Sequence, residues 1–292
     1  MIKVGSLCSG YGGLELGLSP LMNVKTEWHS EISSTADAVM QKRFGTKNLG
    51  DLTQIINPPE VDIVTAGFPC QPVSYAGERK GIHDERWLIE DVCRIAFEAD
   101  ARWLILENVR GLLTANNGNA LARVVEAMAL NGFTQWEWTT FQARHIGAPH
   151  RRDRWFCVAS NPKSSNGRLK EQQNMVTPSR EAAELGERTC SFGKWEAAIK
   201  RWEQIIGRVA PSPNIATDKK YEIVSPLFLE WMMGLPEGHV TDLDLSYESK
   251  MRVLGNGVVP LQATHAIKFL LKNIQGEIPS GNKPPNEIRQ NS

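Results

Sequence analysis

The chain has 292 residues, a hydrophobic fraction of 41%, a charged fraction of 23% and a formal net charge of zero. That is enough apolar material for one large domain, or a large domain with a small companion. It excludes a global field that would draw the whole molecule onto nucleic acid, so any basic surface must be local.

Five cysteines, Cys8, Cys70, Cys93, Cys157 and Cys190, include no pair spaced as a zinc knuckle or a redox motif. They read as free thiols of a reducing compartment, and no metal is expected. No apolar run reaches the roughly 18 residues a spanning helix needs. The start, MIKVGSLCSG, lacks a cleavable apolar signal. A cytoplasmic protein with no membrane segment is expected.

In chain order, IKVGSLC (Ile2 to Cys8) predicts a buried strand that ends in the glycine turn SGYGGLELGL, which leads into a helix. VKTEWHS predicts a second strand and VDIVTAG (Val61 to Gly67) a third, bounded by Pro58, Pro59 and Pro69. Apolar residues three and four apart in WLIEDVCRIAFE (Trp87 to Glu98) predict a helix. RWLILENV (Arg102 to Val109) predicts a strand, and NALARVVEAMALNGF (Asn119 to Phe133) a helix with a glycine stop. This alternation implies a parallel sheet covered on both faces. Glu137 to Ser160 holds two β-rich runs around a Gly147–Pro149 turn, a hairpin-like pair at the sheet's far edge.

After Asn161 the sequence turns polar and weakly periodic. Phe192 to Val209 reads as an amphipathic helix, Ser225 to Val240 as a capped helix stopped by Gly234 and Pro236, and Leu254 to Ile274 as a glycine turn before a helix. From Asn161 to Glu222 there are eleven Lys and Arg against eight Asp and Glu, a local excess of three positive charges.

Gly10, Gly12 and Gly13 follow the first strand, where a glycine turn lets backbone approach a ligand. The lysine of a phosphate-binding loop is missing, and such a turn by itself is a weak signal. Glu31 stands at the end of the second strand, where an acid can hold ribose hydroxyls. Asp51 lies on the approach to the next strand, where an acid can accept an amino proton from adenine. A nucleoside cofactor without a phosphate cradle fits this set, and S-adenosylmethionine meets that description. Two solvated loop acids fit the spacing equally well.

Cys70, in AGFPCQPVS, sits just past a predicted central strand, and Glu107, in ENV, ends another. If the strands are neighbours, thiol and acid converge on the crevice where open parallel sheets bind ligands. The alternatives are a small buried cysteine and a capping acid.

GFPCQPVS, ENV, SGYGG, GAPHRRDRWF and LGNGVVP together resemble the cytosine-5 DNA methyltransferases of bacteria and phages. The resemblance covers both ends of the chain and leaves out Asn161 to about Glu222. It implies an α/β fold, a Rossmann-like AdoMet-dependent mixed sheet with helices on both faces, plus a small target-recognition domain. It divides the chain into a catalytic domain, 1–160 with 249–292, and a recognition domain, 161–248, with a packing motif at 224–241.

By this resemblance Cys70 is the nucleophile that adds to carbon 6 of a flipped-out cytosine. Glu107 binds ring nitrogen 3 and the exocyclic amine, Arg154 the carbonyl oxygen, and Arg152 braces the site. Gly10, Gly12, Gly13, Glu31, Asp51, Leu88 and the turn Asn256-Gly257-Val258 are implied in cofactor binding, with Leu52 and Pro69 beside them. Cys8 and Ile32 stand where the family often has aromatic residues, and Tyr11 is expected to replace part of that surface.

The loop after Cys70, with Ser74, Arg79 and Lys80, is expected to close over the DNA. Lys194, Lys200, Arg201 and Arg208 are expected to meet phosphates. Double-stranded DNA is the expected partner of a monomer, alone or with a cognate restriction endonuclease. Transfer RNA, methylated by a related branch, is a rival substrate. A degenerate copy that binds DNA or AdoMet without chemistry is a second rival, disfavoured by the intact catalytic positions, and a thiol hydrolase using His145 or His150 is a third.

Overall fold

The computed structural model describes residues 1–69, 87–165, 190–216 and 222–275. A seven-stranded sheet organises them. Its strands are β1 (Ile2–Leu7), β2 (Val24–Ser30), β3 (Lys47–Asn48), β4 (Ile63–Gly67), β5 (Trp103–Val109), β6 (Gln135–Gln142) and β7 (Asp153–Ser160). The order across the sheet is β3-β2-β1-β4-β5-β7-β6. The first five strands run parallel, while β7 runs antiparallel to both β5 and β6. The hairpin-like pair therefore lies at the far edge, as its sequence implies.

The helices are α1 (Gly13–Leu18), α2 (Ser34–Phe44), α3 (Ile89–Glu98), α4 (Asn119–Leu130), α5 (Glu196–Ile206), α6 (Pro226–Met232), α7 (Tyr247–Asn256) and α8 (Pro260–Gln275). Alternate residues of the central strands go to opposite faces. Val64, Ala66, Leu104, Leu106 and Cys157 meet Val92, Ile95, Val124 and Met128 of α3 and α4. Ile63, Ile105, Phe156 and Val158 meet Leu14 and Leu18 of α1 and Ala263, Ile267 and Leu270 of α8. Strands buried on both faces read as continuous apolar runs, which is why VDIVTAG and RWLILENV are legible.

α8 closes the first and last parts of the chain on each other. A Cβ on Gly17 would stand 2.7 Å from the Cβ of Ala263. Thr264 Oγ1 donates to the Gly17 carbonyl at 2.7 Å.

A third cluster joins Tyr11, Ala36, Val39, Ala143, Ile146 and Ala148 to Ile199, Trp202, Trp231, Leu235 and Val240. The described part of 161–248 thus shares its core with the sheet-bearing part. It also holds a two-stranded antiparallel sheet, β8 (Asn214–Ala216) with β9 (Glu222–Val224).

Several boundaries differ from the sequence reading. α2 goes unread in the sequence, although Ser33 caps it by accepting from the Ala36 amide and Gly45 ends it in the left-handed region. α6 stops at Met232 and not near Val240. The buried Glu230 explains this. Its carboxylate accepts from the amides of Gly238, Val240 and Thr241 at 2.7, 2.7 and 2.9 Å, which curls the following segment into a loop. α7 occupies Tyr247–Asn256, so the expected glycine turn begins only after a capped helix.

Candidate active site

The chain runs outward to one edge after β1 and then crosses to β4 and β5, so the carboxyl ends of β1 and β4 flank a switch point. Crevices at such points bind ligands. β4 and β5 are neighbours, and Gly67 pairs with Glu107. Cys70 follows Gly67 by three residues in sequence. Cys70, Ser74, Arg79 and Lys80 lie outside the described residues. Pro69, half-buried, is the last described residue before them. Asn108 Nδ2 donates to the Phe68 carbonyl at 3.4 Å, which ties the segment leading to Cys70 back to β5.

Glu107 is 7% exposed. Its Oε1 meets Arg154 Nε of β7 at 2.9 Å. The antiparallel register places Val109 opposite Arg154, which brings the guanidinium across to the β5 carboxylate. Burial pushes the Glu107 carboxyl above the usual range, and the charges of Arg154 and Arg152 pull it back only in part. A carboxyl raised in this way keeps its proton to higher pH than a free one, the direction an acid for a ring nitrogen requires.

Arg152 does not point at the same spot. It donates to the Gly255 carbonyl at 3.1 Å and also to that of Gly257. Six non-glycine residues among those described have positive φ. Four are Asn or Asp, which tolerate it, and the other two are Cys8 and Arg152. The two least tolerant cases therefore both fall in this crevice, where strain often accompanies function.

The cofactor side gathers at the ends of β1 and β2. Glu31 accepts from the Gly10 amide at 3.0 Å and from the Ser33 amide at 2.9 Å. Asp51 is exposed, and its Oδ1 accepts from the amide and the hydroxyl of Thr53, each at 2.9 Å. Desolvation pushes the Cys8 thiol up to about 12, with Glu31 and Asp51 adding to the effect, so the three residues are close together. Gly10 has φ +57, and open space where a Cβ would be. Ile32, next to Glu31 in sequence, is 81% exposed. Leu88 is half-buried at the start of α3. Open space at Gly10, two acids with no ion pair among the described residues and a nearby apolar side chain suit an adenosine better than a phosphate.

Other expected cofactor residues do structural work. Tyr11 is wholly buried, and its hydroxyl donates to the Val258 carbonyl at 2.7 Å, so its ring does not line the crevice. A Cβ on Gly13 would lie 2.3 Å from the Val258 oxygen, and one on Gly257 would lie 1.8 Å from the Tyr11 ring. Gly12 packs against Phe44. Leu52 is 4% exposed and belongs to the core under α3. Asn256 is exposed, while Gly257 and Val258 are buried. These glycines and Tyr11 bring the turn after α7 against the loop after β1.

Two of the four expected phosphate contacts are also committed elsewhere. Arg201 Nε donates to the Gly147 carbonyl at 3.3 Å, and Arg208 donates to the Leu235 carbonyl. Lys200 is exposed. Lys194 lies over the Trp195 ring, 5.3 Å from its centroid.

His150 donates to the Met232 carbonyl at 3.0 Å and is held below the usual histidine range by burial. His145 packs edge-on against Phe141. Neither histidine has a carboxylate to orient it among the contacts of the described residues, so nothing supports a hydrolase base. Among the described residues no cluster of three or more metal-ligating side chains occurs, and no helix is long and apolar enough to cross a membrane.

A buried polar side chain that the sequence reading did not single out is Gln262, on the apolar stripe of α8.

The family described as C-5 cytosine-specific DNA methylase matches residues 2–221. Type II methyltransferase M2.BsuMI of Bacillus subtilis (strain 168) is 37% identical over 165 residues, covering 54% of this chain and 42% of that protein. Type II methyltransferase M.NgoBI of Neisseria gonorrhoeae is 28% identical over 302 residues, covering 93% and 94%. The chain spans less than half the length of several curated relatives it matches, including M.BsuFI and M1.ScrFI at 38% and 47%. The crystal structure of S. pombe Dnmt2 methyltransferase superposes with a TM-score of 0.58 at 16% identity, covering 94% of this chain and 99% of that one. Entamoeba histolytica methyltransferase EhMeth gives 0.60 at 17%, covering 94% and 98%.

Proposed function

Because the chain belongs to the C-5 cytosine-specific DNA methylase family, we propose that it methylates carbon 5 of a chosen cytosine in double-stranded DNA, with S-adenosylmethionine as donor. The observation that carries this reading is the buried Glu107–Arg154 pair at the edge of β5. It stands beside Gly67, where β4 delivers the chain toward Cys70.

The chemistry follows from these groups. Cytosine carbon 5 is a poor nucleophile. The Cys70 thiolate adds to carbon 6, and Glu107 gives its proton to ring nitrogen 3 as charge builds there. Arg154 lies beside Glu107 with a planar set of donors suited to the base's carbonyl oxygen. The bound donor supplies an electrophilic methyl on a sulfonium. Loss of the proton from carbon 5 then expels the thiolate. Glu31 and Asp51 would hold the ribose hydroxyls and the adenine amine of the cofactor, and the exposed Ile32 would offer it apolar surface. The base must leave the stack to be reached, at a cost of a few kcal/mol.

In this reading 1–160 and 249–292 form the catalytic part, and 161–248 contacts the DNA, with 224–241 packing the two together. Lys194, Trp195 and Lys200 are its exposed candidates. The enzyme acts as a monomer in the cytoplasm, and a cognate restriction endonuclease is the partner that would make its methylation protective.

Bisulfite sequencing of DNA from cells expressing the full chain tests the activity and reports the site. Unconverted cytosines at one recurring sequence, lost with Cys70→Ala, are the expected result. Complete conversion would overturn the reading. A duplex carrying 5-fluorocytosine at that site, with AdoMet present, should trap a covalent adduct through Cys70.

A further inference from the structure

α8 turns Ala263, Ala266, Ile267 and Leu270 toward the sheet, and Gln262 is wholly buried beside them. Gln262 Nε2 donates to the Phe141 carbonyl at 2.6 Å and to the Arg152 carbonyl at 2.8 Å. Its two amide hydrogens therefore tie together the end of β6 and the residue before β7. Its Oε1 has no hydrogen-bond partner among the described residues. A buried acceptor left unpaired is unfavourable, and an apolar side chain of equal length would avoid it. Packing alone therefore does not account for an amide here.

What the amide holds is the strained position. Arg152 has φ +21, and its carbonyl also accepts from the Ala143 amide at 3.2 Å. From that backbone the Arg152 side chain reaches the Gly255 and Gly257 carbonyls. Two residues on, Arg154 meets Glu107.

We propose that Gln262 is a positioning residue for the base-binding carboxyl. It fixes the turn at Arg152 so that Arg154 meets Glu107 and Arg152 clasps the turn at 255–257. It touches neither base nor cofactor. The inference rests on the methyl-transfer reading above.

Gln262→Met keeps length and volume and removes both donors. Ile267→Val, in the same helix, removes one buried methylene and touches no part of the turn. Both are compared with the wild-type full chain by thermal unfolding, by kcat against pH and by amide hydrogen exchange. Among the described residues, the titratable or charged groups acting on Glu107 are Arg154 and Arg152 from β7 and its preceding turn, with Tyr11 from the loop after β1. The two cations oppose the effect of burial on Glu107. If the turn loosens they recede, so the carboxyl keeps its proton to higher pH.

The expected result for Gln262→Met is a kcat lower by roughly 10- to 100-fold, as for a displaced catalytic group, with the alkaline limb of its pH profile moved upward. Exchange at the Ala143 amide should quicken as well. Ile267→Val should lower the melting temperature alone. Unchanged Ala143 exchange together with an unchanged profile in Gln262→Met would overturn the inference, as would an equal change in Ile267→Val. The exchange experiment needs no turnover. An inactive wild type would therefore count against the methyl-transfer reading, while unaltered exchange would count against Gln262.

Discussion

Gly257→Ala tests the joint between the two ends of the chain. The new Cβ would stand 1.8, 2.2 and 2.5 Å from Cε1, Cζ and Cδ1 of Tyr11, where ordinary contact begins at 3.4 Å. Ring and turn must separate by about 1.6 Å, the difference between 3.4 and 1.8 Å. The ring has no free direction. It is wholly buried, edge-on to His239 at 6.2 Å, and its hydroxyl is fixed to Val258 at 2.7 Å. Overpacking of this kind costs about 1–3 kcal/mol. Losing the bond to a buried carbonyl adds about 1–3 kcal/mol. The sum, roughly 2–6 kcal/mol, is a large part of a typical stability of about 5–15 kcal/mol. Urea unfolding followed by tryptophan fluorescence measures it. Tyr11→Ala alone should cost about 3–5 kcal/mol. In the double variant the methyl enters the space the ring has left, so the total should fall short of the sum by at least about 1 kcal/mol. Additivity within about 0.5 kcal/mol, or a Gly257→Ala protein as stable as wild type, would refute the reasoning.

Glu107→Gln should lower kcat by at least about 100-fold while AdoMet affinity, measured by calorimetry, stays unchanged. Arg154→Gln removes the larger of the charges that lower the Glu107 pKa. A required acid works below its pKa and fails above it, so the alkaline limb of kcat should move to higher pH, although kcat itself falls. Glu31→Ala should weaken AdoMet binding by roughly 10- to 100-fold, the equivalent of one or two charged hydrogen bonds. Glu230→Ala leaves the Gly238, Val240 and Thr241 amides without their acceptor. It should cost at least about 3 kcal/mol in urea unfolding, and a loss below 1 kcal/mol would count against the carboxylate as the organiser of that loop.

The legible parts of this protein are those with a strong period or a motif. The strands at Ile63–Gly67 and Trp103–Val109 are apolar on both faces, so their sequences carry no competing signal. α2 escaped because its apolar face is narrow: only Ala36, Val39 and Met40 are buried in eleven residues. Glu230 escaped because a charged residue in a helix reads as a solvated one until the loop that wraps it is known. Tyr11 was misread for a related reason. A tyrosine in a ligand-binding turn suggests a stacking surface, but its hydroxyl partner lies 247 residues away in sequence, at Val258. Arg201 and Arg208 show the same limit, since carbonyls at chain turns are invisible to composition. Glu107 and Arg154 were legible as types, but not their pairing, which depends on the antiparallel register of β7 against β5.

That pairing sets the surroundings of the Glu107 carboxyl. Arg154 Nε occupies Oε1 at 2.9 Å, and a donor there disfavours a second hydrogen on the same atom. Oε2 lies on the Gly67 side, where a Cβ on that glycine would stand 3.5 Å from it. Burial raises the carboxyl as a whole, and the charges of Arg154 and Arg152 oppose it only in part. The proposed acid role of Glu107 rests on that balance, at the end of the strand beside the one that leads to Cys70. An arginine that merely neutralised Glu107 would abolish the acid. One whose charge is outweighed by burial leaves the carboxyl able to keep its proton to higher pH than a free one.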